Sequence, residues 1–324
     1  MKTTSIVPLW LLVAFTCIAA TGCSTAPAKP KEKAKDLNLY LQADVTSLDP
    51  RVGYDRRAVQ VNRELFEGLM RIDKNGKPEL AVAQSVSISD DKTVYTFHLH
   101  PSKWSNGLDV TANDFEWTYK SILDHSTSTT GSFALFLIKN SKKVLLNECS
   151  IEELGVRAID PLTLELALEH PAPYFLEFLT LPIFAPICSA VAKENPKWSA
   201  GVYPEFVCNG PYILKDRKIK SHITIEKNPF YRDVDSPVTE RIHFAIVEDP
   251  QTAYNMFEEG TLDWYGDSFG GMSQEMVYEL NRKGQLIKTS SGGIHWFLCQ
   301  TEVPHLRSTK IRKAIACAIN RDEL

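Results

Sequence analysis

The sequence predicts a mixed α/β protein built from more than one lobe. Three observations carry this expectation. Alternating strand patterns and helical stripes are interleaved along the chain, but not in the strict βαβ rhythm of a single parallel sheet. The 324 residues are 44% hydrophobic and 23% charged with net charge −4, a globular composition with room for about two domains. A proline-rich aromatic stretch containing Pro171, Pro173, Pro182 and Pro186 interrupts the regular pattern midway. A chain this long buries about three quarters of its unfolded surface, so a core needs neither metal nor disulfide. The slightly acidic balance lacks the domain-wide basic excess of a nucleic-acid-binding surface.

The elements follow in order. Met1 to Thr21 carry one charge, Lys2, and an apolar run from Ile6 to Ala20, too short for a comfortable membrane span and suited to a signal-peptide core. The following Ala20-Thr21-Gly22-Cys23 resembles the bacterial lipobox, in which the cysteine is lipidated. An ordinary secretory signal cleaved nearby is the alternative, and both readings export the protein. Residues 24–36, rich in lysine with Pro27 and Pro30, cannot bury enough apolar surface to order themselves and read as a tether. At about 3 Å per residue they reach roughly 40 Å. Leu37 to Leu41 alternate as a strand, and Ala58, Val61, Leu65 and Leu69 form one helical stripe. Lys74-Asn75-Gly76-Lys77 is a hairpin-type turn. In the strand from Thr93 to Leu99, Tyr95, Phe97 and Leu99 face inward. Thr111-Ala112-Asn113-Asp114 caps a helix carrying Phe115, Tyr119 and Ile122. Leu162 to Leu168 alternate again. Asp249-Pro250 opens a helix that Gly260 closes, and Ile311, Ala314, Ile315 and Ala318 form the stripe of the last helix.

Seven cysteines are present. With Cys17 in the signal and Cys23 acylated, Cys149, Cys188, Cys208, Cys299 and Cys317 remain, an odd set that cannot all pair. Cys188 and Cys208 are the candidate pair close in sequence, and Cys317 is expected to be buried within the last helix's apolar pattern. No C-x-x-C, nucleophile elbow, phosphate-cradling glycine loop or H-E-x-x-H occurs, so the residues point to no enzyme chemistry, and no metal or other cofactor is implied. His98 and His100 share a strand face, a spacing that can hold a metal but reads better as a solvated strand side.

Several segments resemble, in order, the extracytoplasmic solute-binding proteins of peptide ABC transporters (family 5, the oligopeptide-binding type). They are Leu65-Phe66-Glu67-Gly68-Leu69 with Asn75-Gly76 and Pro78-Glu79-Leu80-Ala81; Tyr95-Thr96-Phe97-His98-Leu99 with Trp104-Ser105-Asn106-Gly107 and Thr111-Ala112-Asn113-Asp114-Phe115; Asn209-Gly210-Pro211-Tyr212 with Glu226-Lys227-Asn228-Pro229-Phe230-Tyr231; Glu259-Gly260-Thr261-Leu262-Asp263; and Ile311-Arg312-Lys313-Ala314-Ile315 with Ala318-Ile319-Asn320-Arg321. The last match accounts for the terminal Arg321-Asp322-Glu323-Leu324, which otherwise looks like a retrieval signal.

The resemblance implies a periplasmic-binding-protein type II-like fold, two lobes joined by a hinge plus an extra small domain. It implies a signal peptide at 1–22, a lipidated tether at 23–36, lobe I from 37–66 and 190–291, the small domain from 67–189, and at 292–324 the start of a lobe III that is incomplete, so that the chain is cut short. The function it implies is binding of peptides by a periplasmic, lipid-anchored monomer that delivers them to permease subunits of an ABC importer. The ligand-binding residues it implies are Trp264, Tyr265, Gly266 and Asp267 in the segment after Asp263, His295 and Trp296 further on, and Phe133 and Phe136 in a loop approaching the ligand. Two other readings stay open: the same scaffold holding another solute (a metal chelate, haem or a cell-wall peptide), or a truncated surface lipoprotein that transports nothing.

Overall fold

The computed structural model describes residues 36–53, 55–124, 131–266, 270–288 and 297–321. It forms two compact units, divided between Gly271 and Met272. The expected signal peptide, Cys23 and all of the expected tether except Asp36 lie outside the described residues, and among those described no helix is long and apolar enough to cross a membrane.

The first unit opens with β1 (Leu37–Leu41), followed by α1 (Arg56–Leu65). Asp55 caps α1 by accepting from the Arg57 and Ala58 amides, and Ala58, Val61 and Leu65 are fully buried as the stripe requires. The helix stops at Leu65, one turn before the sequence stripe does: Leu69 is buried but lies beyond it. The Leu65 carbonyl accepts from the Gly210 amide (2.8 Å), and the Glu67 amide donates to Asn209 Oδ1 (3.1 Å), so another segment takes the positions a further helical turn would need.

A hairpin of β2 (Met70–Ile72) and β3 (Pro78–Leu80) follows. Asp73 closes its turn by accepting from the Asn75 and Lys77 amides, both 2.8 Å, with Gly76 at φ +76°. Next come β4 (Ala83–Ile88), β5 (Val94–Leu99), α2 (Ala112–Leu123), α3 (Ser141–Leu145), β6 (Val156–Asp160) and β7 (Thr163–Ala167). The four strands form an antiparallel sheet in the order β4-β5-β7-β6. Tyr95, Phe97 and Leu99 point inward as the alternation demands, and α2 packs over β6 and β7 with Phe115, Tyr119 and Ile122 buried. Burial of each such side chain contributes about 1.5–3 kcal/mol. Thr111 and Asp114 form the expected capping box, and Asp114 also accepts from Ser189 Oγ (2.7 Å) and the Ser189 amide (3.0 Å).

The proline-rich stretch holds only the short helices α4 (Phe175–Phe178) and α5 (Ser189–Glu194) and single 3-10 turns. The chain then returns to β1 through β8 (Tyr212–Lys218), β9 (His222–Lys227) and β10 (Arg241–Ile246). This second sheet has the order β1-β10-β9-β8, with β1 parallel to β10 (Leu39 opposite Phe244, Tyr40 opposite Ala245) and the rest antiparallel. The helix α6 (Pro250–Glu258) begins as read: Asp249 accepts from the Thr252 amide (2.9 Å), and Gly260 sits at φ +74° past its end. The second unit contains α7 (Gln274–Arg282) and α8 (Thr309–Ala318).

Two cysteine expectations are corrected. Cys188 and Cys208 are free thiols, not a disulfide. Cys208 is held by other bonds: its amide donates to Ser105 Oγ (3.1 Å) and its Sγ–H to the Tyr212 carbonyl (3.3 Å). Cys317 is exposed rather than buried, because no described residue covers α8, which buries none of its side chains.

Candidate functional site

Parallel strands of open α/β sheets present ligands at their carboxyl ends. Here the segment that follows α6 runs along β1, from Asn38 near the start of the strand to Gln42 just past its carboxyl end. Asp263 pairs with β1 from both sides: its amide donates to the Asn38 carbonyl (2.8 Å), and its Oδ2 accepts from the Asn38 amide (2.8 Å) and Nδ2 (3.2 Å). This clamp fixes where Trp264, Tyr265 and Gly266 emerge. Tyr265 is buried and stacks on fully buried Tyr40, with ring centroids 5.8 Å apart and 16° between planes. Tyr254 (5.5 Å) and Phe257 (6.3 Å), one helical turn apart on α6, complete an aromatic wall around it. Burial, helped by the neighbouring Tyr40 and Tyr254, pushes the Tyr265 phenol up to about 12, so it stays neutral.

Trp264, the other aromatic of the pair, is 47% exposed. Gly266 has φ +121°, a backbone conformation that favours glycine, and its carbonyl accepts from the Gly270 amide (3.2 Å). A Cβ on Gly270 would stand 2.4–2.6 Å from the Tyr40 ring and hydroxyl, so glycine alone allows the loop to lie on that tyrosine. The Gly271 amide donates to Gln42 Oε1 (2.9 Å), tying the loop to the residue just past β1. The described residues of this arrangement offer apolar ring faces beside glycine backbone, and among them no nucleophile has an adjacent base. It can stack apolar groups and form main-chain hydrogen bonds.

Of the residues expected at the site, Trp264, Tyr265 and Gly266 are brought together on one segment. Asp267, His295 and Trp296 lie outside the described residues. Phe133 and Phe136 fall in the 3-10 turn Ser132–Leu137 of the other sheet's region, Phe133 67% exposed and Phe136 half-buried, and neither makes a ring contact with the Tyr40–Tyr265 wall. The sequence reading missed Tyr40, Tyr254, Phe257, Asn38 and Gly270. Tyr40 was legible only as a strand residue, and nothing local marks the partner that β1 finds after α6.

Residues 77–324 match the family model described as bacterial extracellular solute-binding proteins, family 5 middle. The oligopeptide-binding protein OppA of Bacillus subtilis is 32% identical over all of this chain and 60% of its own length. The dipeptide-binding protein DppE of the same organism is 31% identical over 94% of this chain and 57% of its own. The chain thus spans less than two thirds of the length of these curated relatives. The structure of Listeria monocytogenes OppA bound to peptide matches with a TM-score of 0.68 and 34% identity, over 71% of this chain and 46% of that one. The mixed α/β architecture described above is that of the periplasmic-binding-protein type seen in such substrate-binding domains. By its motifs, its fold and the match over residues 77–324, the chain belongs to the bacterial extracellular solute-binding proteins of family 5.

Proposed function

We propose that this chain receives peptides outside the cytoplasm and delivers them to the permease subunits of an ABC importer, held at the membrane by a lipid on Cys23. The observation that carries the proposal is the Tyr40–Tyr265 stack, with glycines 266, 270 and 271 beside it, at the carboxyl end of the parallel pair β1–β10. A peptide of varied sequence is held by what all peptides share, an extended main chain, while apolar walls and hydrated pockets accommodate its side chains. The named relatives bind oligopeptides and dipeptides, and one was solved with a peptide in place. In this reading Trp264 stacks on a peptide side chain and Gly266 and Asp267 meet its backbone. His295, Trp296, Phe133 and Phe136 lie further along the ligand, two closing lobes complete the contacts, and the protein acts as a monomer with no chemistry on the peptide.

Titration calorimetry of the purified chain with mixed tri- to pentapeptides at two temperatures tests this. Saturable binding with a negative heat-capacity change is expected. Trp264→Ala should weaken it about 2- to 10-fold, the range of a lost aromatic contact. No heat with any peptide overturns the proposal. The anchor has its own test: labelled palmitate incorporated by the wild type and retained by Cys23→Ala would remove it.

A further inference from the structure

A separate cleft of about 470 Å³ opens beside the last turn of α1, walled by Phe66, Leu179, Pro211 and Tyr212. It holds two glutamates in opposite circumstances. Glu67 is buried and fully served: Tyr231 Oη donates to it at 2.6 Å, Arg71 Nη1 at 3.1 Å and Arg232 Nη2 at 3.2 Å. Glu64, one turn earlier in the chain, is half-buried and takes no hydrogen bond or ion pair from any described residue. Among the described residues its one close positive charge is Arg63, whose side chain is exposed and bears on it only through space. The neighbouring cations are already committed, Arg232 to Glu67 and Arg71 to both Glu67 and Glu79.

A carboxylate withdrawn from water without a partner is unfavourable, and a cation entering the cleft removes that disadvantage. We propose that this cleft is a second binding site, for a primary ammonium or guanidinium group on a short apolar stem such as a lysine or arginine side chain, with Glu64 as its counter-ion. The apolar walls cover the stem, and the volume lies within the usual range for small-ligand pockets, about 300–1,000 Å³. An anion is disfavoured, because the Arg71 and Arg232 guanidiniums are neutralised by Glu67 and Glu79. Burial holds the Glu64 carboxyl above the ordinary glutamate range. The cleft shares no residue with the Tyr40–Tyr265 wall, so the inference stands apart from peptide binding.

The test is a carbon-detected NMR titration of the Glu64 carboxyl in the full chain, with n-butylammonium chloride as probe and n-butanol, sodium butyrate and sodium chloride as controls. A saturable shift specific to butylammonium is expected, with a dissociation constant on the order of 1–10 mM for so small a ligand. The Glu64 titration midpoint should move to lower pH with probe present. Glu64→Gln, with its fold checked by circular dichroism, should weaken probe binding at least about tenfold, since a buried charge-assisted bond is lost. It should leave peptide binding unchanged. Equal shifts from sodium chloride or butanol, an undiminished response in Glu64→Gln, or no saturable shift would each overturn the proposal.

Discussion

Replacing Gly210 by alanine tests the contact that ends α1 and places both glutamates of the second cleft. A Cβ at position 210 would lie 2.5 Å from the Leu65 carbonyl carbon, 2.7 Å from its oxygen and 2.7 Å from the Phe66 amide nitrogen. All three are backbone atoms, so no rotamer change relieves the overlap. Ordinary contact begins at 3.4 Å, and the two segments must therefore part by roughly an ångström. That movement strains the Gly210 amide bond to Leu65 (2.8 Å), the paired bonds between Asn209 and the Glu67 main chain (3.1 and 2.8 Å), and the Asn228 bond to the Gly210 carbonyl (2.9 Å). Overpacking of this kind costs about 1–3 kcal/mol. Two or three weakened buried bonds add about 1 kcal/mol each, while the stiffer unfolded chain of an alanine variant returns about 0.4–1 kcal/mol. The expected loss is about 3 kcal/mol, a fall in melting temperature of about 10 °C for a unit of this size. Urea and thermal unfolding of the two proteins measure it, with the m-value required to stay constant. Gly76→Ala is the control: its Cβ meets nothing within 4 Å, so only the φ of +76° is unfavourable, about 1–2 kcal/mol. If Gly210→Ala melts within about 2 °C of wild type, or no lower than Gly76→Ala, the close-approach reasoning is wrong.

Gly270→Ala, whose Cβ overlaps the Tyr40 ring, should lower stability by about 1–3 kcal/mol, whereas Gly271→Ala, which meets only Gln42 Oε1 at 3.4 Å, should change it by less than about 0.5 kcal/mol; equal melts would dissolve the packing argument for the loop. In native protein pulsed with iodoacetamide, Cys317 should label first and Cys208 last, since Cys208 is fully buried with its thiol pushed up to about 12 by that burial; mass spectrometry showing early Cys208 labelling, or a Cys188–Cys208 disulfide, contradicts this. Because burial raises the Glu64 carboxyl above the ordinary glutamate range, the folded state holds that proton more tightly than the unfolded state, so wild type loses stability as pH rises from the unfolded value through the raised one. Glu64→Gln should therefore melt higher than wild type at pH 7 to 8 and no higher at pH 4, and a difference independent of pH would refute the assignment.

What the sequence disclosed follows the range over which each signal acts. The capping box at Thr111–Asp114, the Lys74–Lys77 turn, the inward alternation of Tyr95, Phe97 and Leu99, and the Asp249 cap are decided within a few residues, and each formed where the pattern placed it. The Ala58–Leu69 stripe overran its helix because periodicity reports which side chains are buried, not whether the backbone carrying them stays helical. Leu69 is buried in either case, and Asn209 with Gly210 decided the boundary from a segment distant in sequence, just before β8. The cysteines erred in a related way. Nearness in sequence does not bring two Cβ atoms to bonding distance, and a stripe on α8 states what a helix can bury rather than what stands beside it.

The candidate site was hardest to read for the same reason. Trp264 and Tyr265 could be placed by resemblance, but what gives them a fixed geometry is a pairing between Asn38 and Asp263 across most of the first unit, and a stack on a tyrosine that the alternation of its strand puts only on the face opposite Leu37, Leu39 and Leu41. Gly210 marks the boundary most sharply. The motif around it is visible in the sequence, yet the reason for its glycine is a backbone atom of Leu65 within 2.5 Å of where a side chain would begin. That close approach is set by how β8 returns to pack against the end of α1, so the residue's identity follows from the tertiary fold and becomes explicable only once the two segments are seen together.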